Sequence, residues 1–197
     1  MFVIVRRPDD RWRFVYASPV EMVAMTIEEF ESYALPGARD GWNRPAFLLA
    51  RVEIDRLDGA IGRIVERKRR LTPDEARRIA GESLDDYMNT LLRSLKNLEA
   101  GRDLEGRLDA IESLSPLLTT AFALDGRVRP FNKWLRHDLG REPLTMDGLL
   151  ERVERIVQHP GPDEQRAMFR DVERHARARG HGSGVDDWEP NVPWLRG

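Results

Sequence analysis

Residues 126–133, which we call the basic elbow, carry residue types that suit the binding of phosphate. Three cations, Arg127, Arg129 and Lys133, surround a glycine and a proline in this segment. Guanidinium and ammonium groups that converge on a turn form charge-assisted hydrogen bonds to phosphate oxygens. The segment therefore predicts a phosphate clamp, and the alternative interpretation is an exposed basic loop without a ligand.

A second group of charged residues lies earlier in the chain. Asp109 and Glu112 are three residues apart in a helical pattern, so their side chains share one side of the helix. A carboxylate in that position is a candidate general base. Arg93 and Lys96, in the preceding helical pattern, are candidates to bind a substrate phosphate. The alternative is that these two cations form structural ion pairs with the two carboxylates.

Two long amphipathic helices are predicted to hold these residues. Apolar side chains recur at three- and four-residue steps through 80–98 and again through 104–122, which predicts a helical hairpin. Thr72 is the expected N-cap of the first helix, with Glu75 completing a capping box. In the second helix, Pro116 is expected to bend or interrupt the helical register.

The N-terminal region has the alternation of short strands. Residues 2–5 and 11–17, the latter with Trp12, Phe14 and Tyr16 on one face, predict a hairpin across a polar turn. Residues 20–25 predict a third strand, and residues 47–55 predict a last one. The sequence therefore predicts a small, mainly antiparallel sheet.

Helices and loops complete the pattern. Thr26 and Glu29 have capping-box spacing and predict the start of a short helix, whereas the breaker-rich residues 36–45 predict a loop. Further helical patterns follow, and the segment from Gly180 to the end is expected to be a coil. The expected fold class is α+β and mostly α, with about five helices in a bundle. The expected division is a sheet region at 1–56, a helical bundle at 57–180 and a tail at 181–197.

Composition limits the classes of function. The 197 residues include 32 Lys and Arg against 34 Asp and Glu, so no strong overall charge favours nucleic acid as a partner. The chain has no cysteine, which excludes disulfides, thiolate metal sites and a cysteine nucleophile. No apolar run approaches the roughly 20 residues of a membrane span. We therefore expect a soluble, cytoplasmic protein that has no membrane partner.

Two segments in the second half carry a resemblance to a known family. The sequences DDYMNTLLRSLKN, from Asp85, and ESLSPLLTTAFALDGRVRPFNKWL, from Glu112, resemble the helical domain of nucleotidyltransferases of the DNA polymerase beta-like superfamily. The strands FVIV and VEMVAM resemble later strands of their catalytic domain. The resemblance covers nearly the whole chain and implies transfer of a nucleoside monophosphate from a nucleoside triphosphate to an acceptor such as a small-molecule hydroxyl.

The resemblance also assigns roles to acidic residues. Glu21 lies at the position that resembles the third catalytic carboxylate and metal ligand of the family. Asp109 and Glu112 correspond to the region in which some relatives carry a general base for the acceptor hydroxyl. In a complete member of the family the cofactor is Mg²⁺, which carboxylates and substrate oxygens hold together.

The chain departs from the family at its beginning. It lacks the Gly-Ser turn and the Asp-x-Asp pair that precede the strand resembling Phe2–Val5. With Glu21 as the single remaining carboxylate, we expect no tight Mg²⁺ binding and no catalysis by this chain. Two explanations remain open: the chain starts at an internal methionine of a longer protein, or it is a remnant that kept only binding.

A different class of function remains as an alternative. The helices would then form a self-contained binding module or a HEPN-type ribonuclease, because Arg170 and His175 match the loose Arg-to-His spacing of that group. The four histidines share no metal-ligand spacing.

The apolar first strand is expected to leave an open edge. We expect either a homodimer through the N-terminal strands or a cover formed by the tail, which carries Trp188 and Trp194.

Overall fold

The computed structural model describes residues 1–11, 13–17 and 20–197, and of Ala17 it describes only the backbone. Trp12, whose side chain the alternation assigns to one face of a strand, lies outside the described residues. The chain divides into two compact units, Met1–Arg69 and Arg70–Gly197. The predicted α+β class, with mostly helical content, is confirmed. The sequence placed residues 57–69 with the helical bundle, whereas in the structure they belong to the same unit as the sheet.

The N-terminal unit contains a three-stranded sheet in the order β1-β3-β2. The strands are β1 Phe2–Ile4, β2 Phe14–Ala17 and β3 Val20–Met25. β1 pairs in parallel with β3, and β2 pairs with β3 in antiparallel orientation. The predicted hairpin between the first two strands is therefore wrong, and the sheet is mixed. Alternation identifies strands but does not choose their partners, and here β3 lies between the other two.

The predicted last strand at 47–55 is also wrong. Residues Gly41–Phe47 form a 3₁₀ helix, which replaces the end of the predicted loop. Phe47 is fully buried, and the Asp55 carboxylate accepts hydrogen bonds from the backbone N–H of Leu57 at 2.9 Å and of Gly62 at 3.1 Å. These local bonds organise the start of the next helix, so the segment has no need of a sheet partner.

Two helices complete the N-terminal unit. α1 spans Ile27–Ser32 and begins at the predicted capping box of Thr26 and Glu29. α2 spans Ala60–Arg69. A small apolar core that includes Phe30, Phe47 and Val65 lies among these elements.

The C-terminal unit is a helical bundle. Its long hairpin is formed by α3 Pro73–Glu99 and α4 Asp103–Leu124, and the predicted capping box at Thr72 is confirmed. The sequence predicted that Pro116 would bend or interrupt the helix, and the interruption does not occur, since α4 continues through Pro116. The carbonyl that lacks its usual donor there is that of Glu112, an exposed residue, and water can satisfy it. The remaining helices are α5 Leu135–Arg141, α6 Leu149–Gln158, α7 Pro162–Ala178, α8 Gly182–Asp186 and α9 Asn191–Arg196.

The tail is helical where the sequence predicts a coil. Val185, Val192 and Leu195 are fully buried in the core of the C-terminal unit, which explains why short helices α8 and α9 form. Trp188 and Trp194 also pack against this core. Among the helices that the structure describes, none is long and apolar enough to cross a membrane.

Candidate phosphate-binding site

The basic elbow connects α4 to α5. Gly126 has a φ of 70°, a left-handed conformation that glycine adopts without a steric penalty. The backbone N–H of Arg127 donates to the Phe122 carbonyl at 2.9 Å, which closes the last turn of α4. The Leu71 N–H donates to the Gly126 carbonyl at 3.3 Å, so the elbow is also attached to the chain before α3.

Arg127 has a structural environment. Its guanidinium forms an ion pair with the Asp138 carboxylate and lies 5.1 Å from the centroid of the Phe122 ring. It also donates to the Glu142 carbonyl. The Arg127 side chain is only 12% exposed and its charge is already paired with Asp138. Arg127 therefore has a structural role, which is to attach the elbow to α5.

Arg129 has polar partners without charge. Its Nη1 donates to both the backbone oxygen and Oγ of Ser115 at 2.8 Å, and its Nη2 donates to Asn132 Oδ1 at 2.7 Å. Its Nε is buried and has no hydrogen-bond partner among the residues that the structure describes, and burial lowers the pKa of the guanidinium. Within the described ranges no carboxylate forms an ion pair with Arg129.

Lys133 has an exposed ammonium group. It lies 4.6 Å from the centroid of the Trp134 ring and 6.0 Å from that of Phe131. No residue in the described part of the chain accepts a hydrogen bond from this ammonium. The two aromatic rings, which are themselves half-buried, limit where the lysine chain can lie but leave its charge open to an external anion.

The elbow therefore contains two cations that lack an acidic partner among the described residues, Arg129 and Lys133. A third, Arg127, is neutralised by Asp138. Such an arrangement can bind an anion, because phosphate oxygens would supply the charge that Ser115 and Asn132 do not. This is the strongest concentration of unpaired charge among the residues that the sequence singled out.

The α3–α4 group forms a closed network. Arg93 Nη2 lies 3.3 Å from Asp109 Oδ1 and 2.9 Å from Glu112 Oε2. Asn97 Nδ2 donates to Asp109 Oδ2 at 2.7 Å. The structure thus has the ion pairs that the sequence offered as the alternative to a general base. Lys96 is exposed and makes no ion pair with the described residues.

The remaining predicted site residues, Glu21, Arg170 and His175, do not form a metal site. Glu21 is an exposed residue of β3 that pairs with Tyr16 across the sheet. In the part of the chain that is described, no three His, Asp or Glu side chains are grouped closely enough to hold a metal ion. His175 Nε2 lies 3.0 Å from the Thr145 carbonyl, and Arg170 Nη1 donates to the Arg196 carbonyl.

No known protein family, curated protein or solved structure matches this chain. The chemistry of the chain's own residues is therefore the basis for a proposed function.

Sequence reasoning missed the residues that hold Arg129. Ser115 and Thr119 lie one turn apart on α4, and Asn132 belongs to the elbow itself. The position of Asn132 among three cations could have indicated that its side chain binds one of them. Nothing in the local pattern indicated that Ser115 would face Arg129, because that contact joins residues from different elements.

Sequence reasoning also missed a cavity in the N-terminal unit. It has a volume of about 940 Å³ and is lined by β1, the start of α1, residues 50–57 and α2. Most of its lining side chains are apolar, and they include Phe2, Ile4, Phe30 and Val52. The sequence predicted a strand at 47–55, and from that prediction a cavity lined by these residues was not expected.

Proposed function

We propose that this chain is a nucleotidyltransferase-like protein whose basic elbow binds the phosphates of a nucleotide. The observation that supports the proposal is the environment of Arg129, a half-buried guanidinium whose hydrogen-bond partners among the described residues are all neutral. A cation withdrawn from water is costly without an opposite charge. A bound phosphate would provide that charge, with Lys133 contacting its exposed side.

The proposal is for binding without catalysis. In a complete member of the family that the sequence resembles, Mg²⁺ would assist transfer of a nucleoside monophosphate to an acceptor hydroxyl. Here Glu21 belongs to no group of three metal-ligating side chains among the described residues, so the residues present do not fit a magnesium site. Asp109 is held by Arg93 and Asn97, and its role in this chain is to join α3 to α4.

The proposal implies particular partners and a location. They are a nucleotide and a second copy of the chain at the N-terminal strands, and an acceptor is added only in a complete member of the family. Neither nucleic acid nor a membrane is included. The proposed location is the cytoplasm.

Calorimetric titration with inorganic triphosphate tests the elbow directly. We expect the wild-type chain to bind triphosphate, and Lys133→Ala to weaken binding roughly 10- to 100-fold through loss of one charge-assisted contact. Lys96→Ala is the matched control, because Lys96 is also an exposed lysine without an ion pair among the described residues. It should leave the affinity unchanged.

Two results would overturn the proposal. One is the absence of triphosphate binding by the folded wild-type chain. The other is equal affinity of wild type and Lys133→Ala. A loss confined to Lys96→Ala would move the site from the elbow to α3 and contradict the assignment to Arg129 and Lys133.

A further inference from the structure

β1 is an edge strand of the described sheet, and on its free side the backbone groups have no partner among the described residues. The Val23 N–H donates to the Met1 carbonyl, and the Val5 N–H donates to the Met25 carbonyl, both at 2.9 Å. In a parallel ladder the backbone groups of residues 1, 3 and 5 therefore face β3. Those of Phe2 and Ile4 face the opposite side, where the described sheet has no further strand.

The apolar cavity is next to this edge. Every residue from Met1 to Arg6 contributes to its lining. Val52, Ile54 and Leu57, which also line it, are exposed large apolar residues. An apolar molecule in the cavity would bury these side chains but leave the N–H and C=O groups of the β1 edge without partners. An added strand satisfies both requirements, since it supplies apolar side chains and backbone hydrogen bonds.

We infer that the cavity edge of β1 pairs with β1 of a second copy in antiparallel orientation, about a twofold axis at Val3. The inference specifies the second-copy partner of the proposed function, and it does not depend on phosphate binding. Phe2 would pair with the partner's Ile4, and Ile4 with the partner's Phe2. Each pair exchanges two backbone hydrogen bonds, because these are the residues whose groups face the free side.

The sequence of β1 suits pairing with itself. The two residues with free backbone groups, Phe2 and Ile4, are placed symmetrically about Val3, as an isologous twofold contact requires. The run from Phe2 to Val5 carries no charge that would repel an identical strand. A central charge on each strand would have opposed this contact.

A dimer contact needs more surface than the edge of β1 alone. A stable interface buries about 800 Å² on each partner, more than a three-residue strand alone provides. The exposed Met1, at 67%, and Ile54, at 69%, add apolar area beside the strand. Val52 and Leu57 extend the same surface. The interface would then comprise both the strand edge and the apolar rim of the cavity.

β2 is the other edge of the sheet and provides the contrast. Its Phe14 and Tyr16 side chains are exposed, with stacked rings 6.4 Å apart. The cavity does not extend to this edge, since none of its lining residues belongs to β2. A dimer through β2 would leave the cavity uncovered. Dimers through β1 and through β2 would therefore bury different residues.

The absence of cysteine in the chain makes a cross-linking test specific. In the inferred register Val3 faces the partner's Val3 as a non-hydrogen-bonded pair, with Cα atoms about 4.5 Å apart, within disulfide range. We expect Val3→Cys to form a covalent dimer under mild oxidation. Tyr16→Cys, on the β2 edge, should remain monomeric in a denaturing gel.

Sedimentation velocity of the full chain supplies an independent measurement. We expect a concentration-dependent dimer that Ile54→Lys weakens at least tenfold, because a charge would enter the apolar rim. Leu108→Lys is the matched control, since Leu108 is similarly exposed, at 62%, but lies on α4. It should leave the dimer unchanged.

Each remaining outcome would overturn the inference. A wild-type chain that stays monomeric at all concentrations contradicts it, whatever the triphosphate titration shows. A dimer that cross-links through Tyr16→Cys but not through Val3→Cys assigns the contact to β2. A dimer that is lost with Leu108→Lys and retained with Ile54→Lys assigns it to α4.

Discussion

The ammonium of Lys68 lies 5.2 Å from the centroid of the Phe47 ring, inside the N-terminal unit. Its Nζ also donates to the carbonyls of Glu31, at 3.0 Å, and Tyr33. Lys68 is completely buried. This charge is therefore held by backbone oxygens at the end of α1 and by the face of an aromatic ring.

This environment makes the stability of the protein depend on pH. Burial, with repulsion from Arg44 and Arg67, lowers the pKa of Lys68 from 10.5 to about 8. Between these values the unfolded chain binds more protons than the folded chain. We therefore expect the Lys68 contribution to the free energy of unfolding to rise with pH from about 8 to 10.5.

Urea denaturation across this pH range measures the effect. Lys68→Met keeps an unbranched side chain of similar length but removes the titrating group. The difference in unfolding free energy between wild type and variant should change in favour of wild type as the pH rises. A difference that is constant over the whole range would contradict the lowered pKa.

Asp109 and Glu112 should differ in their contribution to stability. Asp109→Ala would remove the acceptor of the hydrogen bond from Asn97 Nδ2, and one of the two carboxylates that contact Arg93. Because the Asp109 side chain is only 17% exposed, we expect a loss of about 1–2 kcal/mol. The Glu112 side chain is 62% exposed, and Glu112→Ala should cost less than about 0.5 kcal/mol.

Denaturant titration of the two variants distinguishes the structural role from a catalytic one. If Asp109→Ala is as stable as the wild-type chain, the network with Arg93 does not hold α3 to α4. Asp109 would then return to the candidates for a general base.

Gly106 is required where α3 and α4 approach each other. A Cβ at this position would lie 2.6 Å from Leu98 Cγ and 3.1 Å from the Leu98 backbone nitrogen. Gly106→Ala should therefore destabilise the bundle by about 1–3 kcal/mol through overpacking. Gly140 in α5 has open space around the same position, so Gly140→Ala should stabilise by up to about 1 kcal/mol.

Thermal unfolding of both glycine variants provides the measurement. The helix propensity gained is the same in each, so the difference between them reports the contact with Leu98. Equal melting temperatures would mean that the two helices can separate without cost at Gly106.

Glu21 should have no influence on phosphate binding. It is exposed on β3, and no group of three metal-ligating side chains was found in the described ranges. We expect Glu21→Ala to bind triphosphate as tightly as wild type, with or without added Mg²⁺, and the purified chain to transfer no labelled nucleotide. Mg²⁺-dependent tightening that Glu21→Ala removes would show that a metal site exists. Detection of nucleotide transfer would contradict the proposal of binding without catalysis.

Residues close together in the sequence were predicted well. The capping boxes at Thr26 and Thr72, and the extents of α3 and α4, follow from hydrogen bonds and apolar spacing within a few residues. Such interactions are local, so the sequence pattern contains both partners. For the same reason the basic elbow was visible as a cluster of cations before its contacts were known.

The sequence by itself determined where most strands and helices form and which charged residues are candidates for a site. Only the tertiary structure decided that β1 pairs with β3, that Arg127 is neutralised by Asp138 and that the described partners of Arg129 are neutral. It also decided that Val192 and Leu195 are buried and that the tail is helical. These outcomes depend on contacts between residues distant in the chain. The local sequence specifies the charge of a side chain and the conformation of the nearby backbone. The surrounding fold specifies which other residues neutralise or bury that side chain.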